Sequence, residues 1–196
     1  MYGYEIIKRM RLISMTYNAI YTVIQEGEIR HLYARYGAYQ YLPFVVLDAA
    51  IERNKELPTP LPLAESMRQV CYNERIEHDD SFGGLFEIFR CELKQREAEN
   101  RLAQFGKNSS TKLHVTIDVD NDYIEYRYNR AYSTDLPDNF KVNISEGCLC
   151  LEETVDEAAY ENTSLTEIIE QKMIAKLREC AEPLEQSTDP KMKMNL

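Results

Sequence analysis

The sequence reads as an α+β protein, with an N-terminal bundle of about five helices followed by a four-stranded antiparallel β-meander that a C-terminal helix covers. Three observations predict this. Between Leu113 and Val119 apolar and polar residues alternate, Asp120-Asn121 breaks the run, and Ile124, Tyr126 and Tyr128 resume it, which is the period of a half-buried hairpin. Upstream, Ile6, Met10, Ile13, Tyr17, Ile20 and Ile24 recur at spacings of 4 and 3, the seam of an amphipathic helix. Charge divides at the same place: residues 1–110 carry 14 Lys and Arg against 15 Asp and Glu, whereas residues 111–196 carry 9 against 18. The expected organisation is a helical region over 1–110, an acidic β region with its covering helix over 111–184, and a frayed tail over 185–196.

Taken in order, the first helix is expected over residues 4–26, with Gly27 as its C-terminal stop. A second covers 28–41 and presents Ile29, Leu32, Tyr33 and Tyr36 on one side. Pro43 starts a third, whose Phe44-to-Ile51 stretch is apolar around most of its circumference before Arg53, Asn54 and Lys55 bring it to solvent. Pro58, Pro60 and Pro62 exclude helix and make an extended connector. A fourth helix is expected over about 63–77 and a fifth over about 84–105, ending at Gly106.

Two hairpin registers keep the apolar residues of the 113–128 pair together. One sets Asp118 opposite Glu125. The other sets Thr116 opposite Glu125 and His114 opposite Arg127, and is preferred because like charges directly opposite are unfavourable. A second strand pair is read at 140–144 and 148–151, turned by Ser145-Glu146-Gly147. The covering helix is read at 165–181, where Ser164 and Glu167 make a capping box.

Composition narrows function. No apolar run reaches the roughly 18 residues of a membrane span, and the N-terminus lacks a basic-then-apolar leader, so a cytoplasmic protein without membrane contact is expected. Five cysteines form no framework pattern, which fits free thiols in a reducing compartment. There is no Gly-x-Ser-x-Gly elbow, no phosphate loop and only three histidines, so common enzyme plans are absent and no cofactor is expected.

The strongest functional signal is electrostatic. From Asp135 to Glu161, eight carboxylates (Asp135, Asp138, Glu146, Glu152, Glu153, Asp156, Glu157, Glu161) meet one cation, Lys141. Such a surface repels nucleic acid and attracts basic protein surfaces. The expectation is a non-catalytic interaction protein: an inhibitor or regulator of a basic, nucleic-acid-handling partner, of the kind phages and mobile elements encode. Tyr33, Tyr36 and Tyr39 are expected to make an oligomer interface or hold the core.

Two resemblances supply alternatives. His78-Asp79 resembles the histidine-aspartate pair of HD-superfamily metal-dependent phosphohydrolases; this implies a metal-dependent hydrolase using His31, His78, Asp79 and Asp80. Gly3-Tyr4-Glu5-Ile6-Ile7-Lys8-Arg9-Met10 resembles a helix of PadR-type winged-helix regulators, which implies a DNA-binding regulator. Asp118, Asp120 and Asp122 have the opening spacing of a calcium loop, but Tyr123 and Asn129 stand where such a loop needs Gly and Glu. Cys148-x-Cys150 would place two sulfurs on one face of a strand.

Overall fold

In a computed structural model the described residues are 18–34, 42–72, 89–105, 111–129, 139–161 and 172–184. Their architecture is a mixed sheet with helices on both faces, and not a helical bundle followed by a four-stranded meander. Strands β1 (Asn18–Gln25) and β2 (Glu28–Ala34) come first. Helices α1 (Leu42–Glu56) and α2 (Leu63–Tyr72) follow, then β3 (Phe89–Leu93) and α3 (Gln95–Ala103). Strands β4 (Thr111–Asp118), β5 (Tyr123–Tyr128) and β6 (Asn139–Asn143) lead into α4 (Ile144–Glu161), α5 (Ile174–Cys180) and the two-residue β7 (Glu182–Pro183).

The sheet order is β3-β2-β1-β4-β5-β6-β7. Its centre is a parallel pair, β1 with β4, and each of these strands starts an antiparallel series running outward. The β1–β4 ladder thus joins segments on either side of residue 110 into one sheet.

Residues 18–25, expected in the first helix, form β1 because this strand is buried on both faces. Ala19, Tyr21 and Val23 enter the main core, while Ile20 enters a smaller one opposite. A strand apolar on both sides shows no period of two, and its β-branched Ile20, Thr22, Val23 and Ile24 favour extended backbone. Gly27 ends no helix. With Glu26 it makes a two-residue hairpin turn, both at positive φ (54° and 74°), the geometry that matches strand twist. Asp120 clamps that turn, its carboxylate accepting from the Glu26 and Gly27 N–H groups at 2.7 and 2.9 Å.

Residues 28–34 are β2 and not the second expected helix, and the expected fifth helix is divided into β3 and α3. The third and fourth expected helices are present as α1 and α2. The preferred hairpin register is the one adopted: Thr116 pairs with Glu125 and His114 with Arg127. Of the second expected strand pair only β6 forms; residues 148–151 lie inside α4. The region read as covering helix contains α5, and residues 165–171 lie outside the described set.

The main core lies between the sheet and the helices α1, α2, α4 and α5. Tyr126 and Phe140, partners across β5 and β6, stack at 4.5 Å within it. On the opposite face α3 packs Ala98 against Ile20 and Leu93. Helix α4 reaches the core through Gly147, where a Cβ atom would sit 2.0–2.6 Å from the Phe44 ring. Gly147→Ala should therefore destabilise the protein by about 1–3 kcal/mol, although alanine favours helix, because fully buried Phe44 has no room to retreat. Urea unfolding of this variant measures the effect.

Candidate functional site

The acidic stretch acquires its geometry from α4. Asn143 caps the helix, its Oδ1 accepting from the Ser145 and Glu146 N–H groups at 2.9 and 3.4 Å. Asp122 holds the first turn from the β4–β5 side, its carboxylate accepting from Ser145 Oγ and its carbonyl from the Ile144 N–H. Gly147, Cys150, Leu151 and Thr154 are buried at helical spacing. The opposite side is exposed and carries Glu146, Leu149, Glu152, Glu153 and Asp156.

Leu149 lies at the middle of that exposed side and is 55% exposed, the highest value among the large hydrophobic residues described. Glu146, Glu152 and Glu153 flank it at positions three and four residues away, one turn along the helix in each direction. Glu153 and Glu157 of the stretch are engaged by lysines of the C-terminal segment. Lys176 of α5 bridges Glu153 and Glu157 at 2.7 and 3.1 Å, and Lys172 approaches Glu157 at 3.1 Å. The hydrogen bonds from Lys172 and Lys176 hold the Glu157 carboxyl below its ordinary pKa. No ion pair engages Glu146 or Glu152 among the described residues. Segments 139–161 and 172–184 together carry eight carboxylates against Lys141, Lys172, Lys176 and Arg178, a net of −4.

Asp135 and Asp138 lie outside the described residues, as do His78, Asp79, Asp80, Tyr36 and Tyr39. Glu161 ends α4. Tyr33, on the α3 face of β2, is half-buried with the Arg101 guanidinium 4.7 Å from its ring centre. Among the described residues, no group of three or more His, Cys, Asp or Glu side chains is placed to hold a metal ion. The calcium-loop aspartates have separate structural roles: Asp118 accepts from Asn121, Asp120 clamps the β1–β2 turn and Asp122 holds α4. Cys148 and Cys150 do not share a strand face, since both lie in α4.

His31 belongs to a different constellation, which no local motif announces. The Glu99 carboxylate accepts from Gln95 Nε2 at 2.8 Å, which turns Gln95 Oε1 toward His31 Nε2 at 3.0 Å. A His31 that donates there accepts at Nδ1, so the Thr22 hydroxyl, 3.0 Å away, donates to it. Thr22 Oγ1 then accepts from His114 Nε2, also at 3.0 Å. One carboxylate on α3 thereby sets the direction of every bond through β2 and β1 to β4. Burial, then Arg127 and His31, push the His114 pKa down to about 4, so it is neutral at pH 7. With both ring nitrogens engaged, His31 is a cross-link in the sheet and not an open metal ligand.

A cleft of about 360 Å³ lies beside the β4–β5 turn, lined by Leu47, Ile51, Leu63, Val119 and Ile144 among others. Its polar residues Gln25, Asn54, Lys55 and Asp122 are bonded to Leu63 N, the Leu61 backbone, Glu52 and Ser145. No helix among the described residues is long and apolar enough to cross a membrane.

No protein-family model, curated protein or solved structure matches this chain.

Proposed function

We propose that this is a non-catalytic binding protein whose α4 face docks on a basic surface of a protein partner. The supporting observation is Leu149, exposed on the outer side of α4 with Glu146 one turn before it and Glu152 and Glu153 one turn after it. Binding energy concentrates in a few apolar anchors surrounded by polar contacts, while charge of one sign speeds encounter and selects the partner. The complementary surface is an apolar socket rimmed by Lys or Arg. A groove built to hold phosphates has that charge, which favours a nucleic-acid-handling partner and a regulatory or inhibitory role.

The test is affinity capture from the native cells with the wild-type chain and with Leu149→Ala and Glu146→Lys/Glu152→Lys variants, whose changes are solvent-exposed. A basic partner should bind the wild type and dissociate as salt rises from roughly 0.05 to 0.5 M. Leu149→Ala should weaken the complex by about 2 kcal/mol, roughly 30-fold. Capture of the same proteins by all three chains, insensitive to salt, would exclude the α4 face.

A further inference from the structure

The α4–α5 contact contains a pair of sulfurs. Cys150 Sγ lies 3.9 Å from Cys180 Sγ across 30 residues of sequence, and both are free thiols. The geometry points to a reversible disulfide site: Cys150 and Cys180 exchange with a low-molecular-weight disulfide and close a covalent link between α4 and α5. This goes beyond the proposed partner binding and does not depend on it.

Three features support the link. The helices are held together around the thiols, by the Lys176 bonds to Glu153 and Glu157 and by Leu151, Met173 and Leu177 in the main core. The sulfurs must approach by about 2 Å to reach bonding distance. Cys180 is the last residue of α5, where the chain turns extended at Ala181, so its thiol stands at the end of a helix and not within one. Access is also unequal: Cys180 is half-buried, whereas Cys150 is 8% exposed.

That inequality orders the chemistry. The Cys180 thiolate attacks one sulfur of the small disulfide, forming a mixed disulfide and releasing one small thiolate. Cys150 then loses its proton to solvent and attacks Cys180 Sγ, forming the internal disulfide and expelling the second small thiolate. Two protein thiols are oxidised, one small disulfide is reduced to two thiols, and the electrons balance. Burial, and next the neighbouring Cys180, push the Cys150 thiol up to about 12, so it waits as a thiol and reacts through proximity once Cys180 is activated. Cys91, exposed on β3, stops at the mixed disulfide unless a second thiol reaches it.

The test exposes the folded full-length chain to oxidised glutathione, followed by peptide mapping without reductant and by thermal unfolding. The expected result is a peptide pair joined through Cys150 and Cys180, reversed by dithiothreitol, with the melting temperature raised by roughly 5–10 °C. Cys150→Ala and Cys180→Ser should each abolish both changes. Glutathione persisting on Cys180 with no 150–180 link, or a link that forms equally well in urea, would overturn the proposal. The wild-type mapping decides this even if a variant fails to fold.

Discussion

Phe140→Ala should lower the unfolding free energy by about 3–5 kcal/mol, the range for removing a buried aromatic ring from a core that cannot close over the space. Phe140 is fully buried on β6. Its ring stacks 4.5 Å from Tyr126 and lies 6.2 Å from Tyr128, both on the neighbouring strand. Loss of the ring removes the transfer energy of its surface and two aromatic contacts. Urea denaturation followed by circular dichroism measures the change, and Phe140→Leu should recover much of it. A loss below about 1 kcal/mol would mean that β6 is not packed as described.

The second large effect is a loss of stability in acid that traces to one histidine. His114 has a pKa of about 4 in the folded chain against 6.5 for an ordinary histidine, chiefly because of burial, with Arg127 and His31 adding repulsion. The unfolded chain takes up the proton first. Above pH 6.5 neither state holds it and His114 contributes no pH dependence. As pH falls from 6.5 toward 4 the unfolded state is progressively favoured, by about 3 kcal/mol in total, after which the contribution is constant. His114→Gln can still donate to Thr22 but does not titrate. The difference between wild-type and variant stability should therefore change across that window, and parallel curves would contradict the assignment.

The sequence was most informative where a strand has one wet face. The β4–β5 arms alternate cleanly, and charge alone selected the register that places His114 beside Arg127. Strand β1 is apolar on both faces, so its Ile20 and Ile24 fell in step with a helical seam drawn from residues upstream. In α4, Leu149 and Leu151 alternate locally with two cysteines and imitate a strand. The helical signal was the wider pattern of Gly147, Cys150, Leu151 and Thr154, with Asn143 three residues before Glu146 as its capping signature.

The acidic residues of the candidate surface were countable, but their grouping was not, since a strand over 148–151 does not place Leu149 among Glu146, Glu152 and Glu153. The Thr22–His31–His114 constellation left no local mark at all. Its members are 9 and 92 residues apart and meet only because β1 pairs in parallel with β4. Pairing of that kind depends on the whole sheet, and no short-range pattern encodes it.

The most direct test of the proposed function is hydrogen–deuterium exchange of the chain alone and bound to the basic partner it captures. The α4 face predicts slowed exchange concentrated in residues 144–157, with α3 and the β1–β2 turn unchanged. Protection of α3, with α4 exchanging as it does in the unbound chain, would contradict the proposal and move the binding surface to the other face of the sheet.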